Sequence, residues 1–213
     1  MLLMLQSILK LIPIFPDLPG SCCPQSMNTI LRTKRFLTGV EIMLIEGDIT
    51  LSDAEAITNP ANSQLMHGGG LAGLLSRKAG PSLQIESSQW VRENGPVSHE
   101  SPAHTNAGDL PFKTMIHTVG PVWGSGDEER KLSAAVVGSL QLAEDLKLKS
   151  LALPAISTGI FQYPIKEAAR VILSAVQDFS RREDVLSLRE IQIVVHGSQP
   201  AREFQQIWDK CLT

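Results

Sequence analysis

The sequence predicts a three-layer α/β domain, and three observations lead there. Short apolar strand runs alternate with amphipathic helical patterns along most of the chain. Those strands end in Gly, Asp, Asn or Pro, the residues that break a strand and turn the chain. The Gly- and Asn-rich loops all follow strands, where open α/β sheets hold their ligands. With 213 residues, 43% of them hydrophobic, the chain can form one domain with a sizeable core and a tail.

The elements follow in order. Val40 to Ile45 alternates and reads as a strand that ends at Gly47-Asp48. Ser52 is placed to cap a short helical turn running through Glu55. Ala56-Ile57-Thr58 reads as a short buried strand. Leu71, Leu74, Leu75 and Ala79 share one helical face, which Gly80-Pro81 stops. Pro81 opens a second helix that runs past Trp90 and Val91 to Gly95-Pro96. Lys113 to Val119 is a strand. Asp127-Glu128-Glu129 begins a long helix with its acids at the positive end of the dipole, and Leu132, Val136 and Leu140 lie on its core stripe. Leu151 to Leu153 is a strand. Pro164 marks the start of a helix whose buried face carries Ile165, Ala169, Ile172, Val176 and Phe179. Ile191 to Val195 is the last strand, and Pro200 to Leu212 the last helix.

Residues 1–37 read as an N-terminal extension and residues 38–213 as the domain. Met1 to Phe15 is apolar but has no basic leader, is interrupted by Pro13 and Pro16, and is too short to span a bilayer. A short helix packed on the domain is the expectation for it, with a cleaved signal as the alternative. Cys22, Cys23 and Cys211 form no C-x-x-C pair and no metal framework, so no metal is expected, and a reducing, cytoplasmic setting is. The net charge of −3 gives no basic field to attract nucleic acid or a membrane surface. A phosphorylated ligand would therefore be held mostly by backbone N–H groups and helix dipoles.

The most informative stretch runs from Asn59 to Gly73. Asn59, Asn62 and His67 put amide and imidazole groups beside Gly68-Gly69-Gly70, and the glycines lead into a helix. A Gly-rich turn opening a helix leaves N–H groups pointing at an anion. Gly68, Gly70 and Gly73 also fit G-x-G-x-x-G, the dinucleotide fingerprint. That motif should follow a strand directly. Here the strand ends about ten residues earlier and a polar loop intervenes, so a nicotinamide-dependent dehydrogenase is disfavoured. No cofactor is expected.

Four segments in order resemble the macrodomain family, the ADP-ribose-binding α/β module. They are Glu46-Gly47-Asp48-Ile49-Thr50, then Asn59-Pro60-Ala61-Asn62 with His67-Gly68-Gly69-Gly70, then Ile116 to Pro121, and Leu153 to Phe161. The resemblance covers roughly residues 38 to 213 and implies a central mixed sheet with a cleft at the strand carboxyl ends. It implies that Asp48 accepts from the adenine amino group and that the Ile49 backbone donates to the base. Asn59 falls within the matched loop. Gly68, Gly69, Gly70 and Leu71 would run along the phosphates and distal ribose. Ser157, Thr158, Gly159, Ile160 and Phe161 would form the second phosphate cradle, with Phe161 on the distal ribose. His196 would lie over the adenine. Asn62 would orient the reactive ribose, and His67 matches a histidine that some hydrolytic members carry there. His117, mid-strand, reads as structural.

One hydrolase subgroup carries an aspartate two residues after the glycine run, where this chain has Ala72. Binding is implied regardless, and catalysis would have to run without that base. The expectation is a hydrolase that removes mono-ADP-ribose from acidic side chains or deacetylates O-acetyl-ADP-ribose. The alternatives are a reader of ADP-ribose without turnover, and a weak phosphatase on the distal-ribose phosphate. The expected partners are ADP-ribose, O-acetyl-ADP-ribose or mono-ADP-ribosylated protein, bound by a monomer.

Overall fold

The computed structural model describes residues 28–212. A seven-stranded sheet runs through its centre in the order β1-β2-β7-β6-β3-β5-β4. The strands are β1 (Thr29–Arg35), β2 (Glu41–Glu46), β3 (Ala56–Ala61), β4 (Ala103–Thr105), β5 (Thr114–Val119), β6 (Ser150–Pro154) and β7 (Glu190–Val195). The β1–β2 and β4–β5 pairs are antiparallel, and the inner pairs are parallel, so the sheet is mixed.

Strand alternation divides the core in two. Leu44, Leu153, Ile191 and Ile193 face helices α3 (Glu128–Asp145), α4 (Ile165–Ser180) and α5 (Ser198–Cys211), meeting Leu132, Val136, Ile172, Phe204 and Trp208. The intervening residues Ile45, Ala152 and Val194, with Ile57 and Met115, face α1 (Gly70–Ala79) and α2 (Pro81–Asn94) through Leu75, Ala79 and Leu83. Because side chains alternate at period two, a strand buried on both faces reads as a continuous apolar run. This is the three-layer architecture expected from the sequence. None of the helices among the described residues is long and apolar enough to cross a membrane.

Three local features differ from the sequence reading. First, Thr29–Arg35, assigned to the extension, pairs with β2 as the sheet's edge strand, with Arg35 opposite Glu41. Its three basic residues hid it, but a charged edge is what discourages pairing with another chain. The short-helix and Cys22–Cys23 readings lie outside the described residues. Second, the helical turn after β2 is Ile49–Leu51, not a turn begun by Ser52. Asp48 caps it by accepting from the Thr50 N–H at 2.8 Å, and Ser52 ends it. Third, β3 continues through Asn59 and Pro60 to Ala61, because β5 supplies a partner as far as Val119.

The β3–β6 ladder pairs only Ala56 with Leu151 and Ile57 with Ala152. Beyond that point Pro60 has no N–H to offer, and the two strands part. From β3 the chain continues through α1 and α2 towards the β4–β5 edge, whereas β6 continues through α4 to β7. The gap between β3 and β6 is thus a topological switch point, the place where α/β sheets open a ligand crevice.

Candidate functional site

The crevice has two lobes. One, of about 330 Å³, is lined by Gly47, Asp48, Ile49, Leu74, Thr158, Val194, His196 and Pro200. The other, of about 410 Å³, is lined by Pro60, Ala61, Asn62, Met66, Gly68, Gly69, Ala72, Ser157, Gly159, Ile160 and Phe161. Gly70, Leu71, Pro154 and Ala155 line both, forming the waist between them. Both volumes lie in the range of small-molecule sites.

Two sets of backbone amides face each other across this waist. Helix α1 starts at Gly70 with Gly69 as its cap and no side-chain capping bond. Gly70 takes a φ of +56°, which glycine adopts without strain. A Cβ on Gly69 or Gly70 would come within 3.2 Å of Ile160 Cδ1 across the crevice, so the glycines allow this close approach. The N–H groups of the first helical turn have no acceptor within the helix, and the dipole favours an anion there. On the opposite side, the loop from Ser157 closes on itself through Gln162 N–H to Gly159 O and Tyr163 N–H to Ser157 O. Among the described residues, the N–H groups of Ser157, Gly159, Ile160 and Phe161 meet no protein acceptor. The Thr158 N–H does not join them: it turns back to Ala155 O at 3.3 Å, while its hydroxyl donates to the same carbonyl. Ser157 is held at a φ of +68° with its hydroxyl buried and unpaired, a strained position of the kind found at functional loops. Gly120 makes room for it, since a Cβ there would fall 2.1 Å from Ser157 Oγ.

In the smaller lobe, Asp48 Oδ1 accepts from both the N–H and the hydroxyl of Thr50 at 2.8 Å. Its Oδ2 lies 3.5 Å from Lys78 Nζ, which donates to Thr50 Oγ1. Burial works to raise the Asp48 pKa, but the Thr50 bonds and Lys78 outweigh it and hold the carboxylate below its ordinary range. Asn28 supports it from behind, its Oδ1 accepting the Asp48 N–H at 2.8 Å. Neither Lys78 nor Asn28 was visible as a site residue in the sequence, because both contacts are non-local. His196, the residue after β7, is exposed at the rim.

In the larger lobe Asn62 is exposed and shapes its own loop. Its Oδ1 accepts from the N–H groups of Gln64 and Met66, and its Nδ2 donates to Met66 O at 2.7 Å. One amide hydrogen is left for a ligand. Two expected site residues are not in the crevice at all. Asn59 is fully buried, and its Nδ2 contacts His67 Nδ1 at 3.2 Å and His117 Nδ1 at 3.0 Å. His67 is buried too and stacks on His117 with ring centroids 5.2 Å apart. In this amide orientation Nδ2 faces both Nδ1 atoms, which places the proton of each neutral ring on Nε2 and leaves the Asn59 Oδ1 without a partner. Those protons go to Ser87 Oγ at 3.0 Å and Thr105 Oγ1 at 2.8 Å, and Thr105 donates onward to Asn106 O. Burial lowers the His67 pKa and, with repulsion from His67 and His104, brings His117 down to about 3. Both are neutral at pH 7. The expectation of His67 at the reacting ribose is therefore corrected: it belongs to a polar network beneath the glycine run. The side chains turn inward because β3 alternation and the loop's return to α2 point them at the sheet.

Residues 58–172 match the family model described as Macro domain. The chain belongs to the macrodomain family. It is 45% identical over 174 residues to a protein of Pyrobaculum aerophilum, covering 82% of this chain and 94% of that one. It is 42% identical over 149 residues to an O-acetyl-ADP-ribose deacetylase of Klebsiella pneumoniae, covering 69% and 85%. Among solved structures, the Oceanobacillus iheyensis macrodomain with ADP superposes with a TM-score of 0.80 at 28% identity, covering 87% of this chain and 97% of that one. The position two residues beyond the glycine run is the buried Ala72, and among the described residues no carboxylate or imidazole lines the larger lobe. Among the described residues no cluster of His, Cys, Asp or Glu could hold a metal.

Proposed function

We propose that this macrodomain binds ADP-ribose across both lobes and hydrolyses esters at its distal ribose. The substrates are mono-ADP-ribosylated acidic side chains of proteins and O-acetyl-ADP-ribose. The observation that carries this reading is the pair of unpartnered amide sets facing each other at the waist between a carboxylate lobe and an amide lobe. Adenine occupies the smaller lobe, its amino group donating to Asp48 Oδ2, since Oδ1 already accepts twice. The diphosphate lies at the waist between the start of α1 and the 157–161 loop. The distal ribose sits in the larger lobe beside Asn62 and Phe161.

Water adds to the ester carbonyl, the bond to the ribose oxygen breaks, and the products are a carboxylic acid and ADP-ribose. Among the described residues the larger lobe has no side-chain base, so the ligand's own phosphate takes the proton from water and passes it to the departing ribose oxygen. Asn62 orients the ribose hydroxyls with its free amide hydrogen. The same step serves an acetyl ester and a glutamyl or aspartyl ester. The lack of a base in the lobe favours a second reading, a module that binds ADP-ribose without turnover. A time course with O-acetyl-ADP-ribose and with mono-ADP-ribosylated protein separates the two. Hydrolysis of either above the uncatalysed rate supports the enzyme, and ligand that stays bound but intact supports the reader.

A further inference from the structure

Nine large apolar side chains are exposed among the described residues. Five are scattered over β1, the β1–β2 turn, the turn after β2, α2 and the α4–β7 loop. The other four collect at one place. Met66 (58% exposed) and Ile160 (68%) line the larger lobe, and Val122 (50%) and Trp123 (47%) follow β5 beside it. The link is direct: the Trp123 N–H donates to Phe161 O at 2.9 Å, and Phe161 lines the lobe. The indole is already immobilised against Tyr163, with ring centroids 4.8 Å apart and planes tilted by 58°. An isolated exposed apolar residue needs no explanation, but a fixed aromatic among clustered apolar neighbours is how binding surfaces are built.

We propose that these four residues form a collar that holds the polypeptide carrying the ADP-ribose. This rests on the orientation given above, in which the distal ribose, and hence whatever is esterified to it, emerges from the larger lobe. The collar is continuous with the ligand crevice, so a chain attached at the ribose must leave across it. Among the described residues no Lys, Arg, Asp or Glu lines the lobe, and the exposed collar side chains are apolar, which suits a polypeptide segment with apolar residues flanking the modified side chain. An acetyl group brings no flanking residues to meet the collar. The domain therefore prefers a modified protein to a small ester.

Binding tests this whether or not the protein turns over its ligand. The probes are free ADP-ribose and a peptide joined to ADP-ribose through a non-hydrolysable linkage, with Leu and Val flanking the attachment. The peptide conjugate should bind roughly tenfold tighter than ADP-ribose. Val122→Ser and Trp123→Ser should each remove most of that advantage while leaving the Kd for free ADP-ribose within about twofold. Val122→Ser guards against a folding defect from losing the Trp123–Tyr163 contact. Equal affinity for conjugate and free ligand overturns the collar, as does an advantage that survives both variants. Failure of the wild-type protein to bind free ADP-ribose would instead overturn the functional reading beneath it.

Discussion

Gly159→Glu tests the amide cradle most sharply, because the structure separates its effect on binding from its effect on folding. A Cβ built on Gly159 meets nothing within 4 Å, and its φ lies outside the left-handed region. The fold should therefore tolerate a side chain here, and loss of glycine's freedom in the unfolded chain is stabilising by roughly 0.4–1 kcal/mol. Binding is another matter, since Gly159 lines the larger lobe and its N–H has no protein partner. A carboxylate about 6 Å from a phosphate, at an effective dielectric near 20, opposes each unit charge by about 3 kcal/mol. With two phosphate charges, and allowing for salt screening, a net loss of roughly 3–4 kcal/mol follows, or about 100- to 1,000-fold in Kd. The assay is calorimetric titration with ADP-ribose, with circular dichroism and a melting curve as fold controls. Gly159→Gln provides bulk without charge and should lose less than about tenfold. A folded Gly159→Glu protein with unchanged affinity would refute the cradle. A Gln variant as weak as the Glu variant would show that bulk, not charge, decides.

Gly120→Ala is the opposite case: its Cβ would fall 2.1 Å from Ser157 Oγ and 2.5 Å from Ile156 Cγ2, so a melting curve should show a loss of roughly 1–3 kcal/mol. Asp48→Ala should weaken ADP-ribose binding by roughly 1.5–3 kcal/mol for the lost charged hydrogen bond, and remove about 1 kcal/mol of stability because Asp48 also caps the Ile49–Leu51 turn. His117 gives a pH dependence. Its folded pKa of about 3 lies below the ordinary 6.5, so between those values the unfolded chain binds the extra proton. Stability is complete above pH 6.5 and falls as pH drops towards 3, by up to about 1.4 kcal/mol per pH unit. Denaturant melts across that window should show this slope, and His117→Gln should flatten it. Asn62→Ala should reduce turnover more than affinity if Asn62 acts mainly in the transition state. Because Asn62 also ties down the 62–66 loop, a comparable loss in both would mark it as a loop-shaping residue only.

Much of this was legible in the sequence for physical reasons. Helix α4 announced itself because its apolar residues keep a strict helical face, and β7 because Ile191, Ile193, Val194 and Val195 make a nearly continuous apolar run broken only by Gln192. The glycine run was legible because only glycine combines a positive φ at position 70 with the approach of Ile160. Strand β1 was hidden by its lysine and arginines, which an edge tolerates and a pattern search reads as tail. Strand β4 has three residues and no period to detect. The errors at Asn59 and His67 have a single source. Sequence shows that polar groups sit next to a Gly-rich loop, but not which way they turn. Here Asn59 and the two histidines hydrogen-bond to one another inside, although the Asn59 Oδ1 is left without a partner. Buried histidine and asparagine are acceptable when paired, so their polarity was no guide to the crevice.

The central claim is that both lobes serve one ligand, and comparing ADP-ribose with AMP by calorimetry tests it most directly. AMP can fill only the smaller lobe, lacking the second phosphate and distal ribose that the waist and larger lobe would hold. The account predicts micromolar-range binding of ADP-ribose, about −7 to −9 kcal/mol, and much weaker binding of AMP. Equal affinities for the two would contradict it, since the Ser157–Phe161 loop and the lobe around Asn62 would then contribute nothing to recognition.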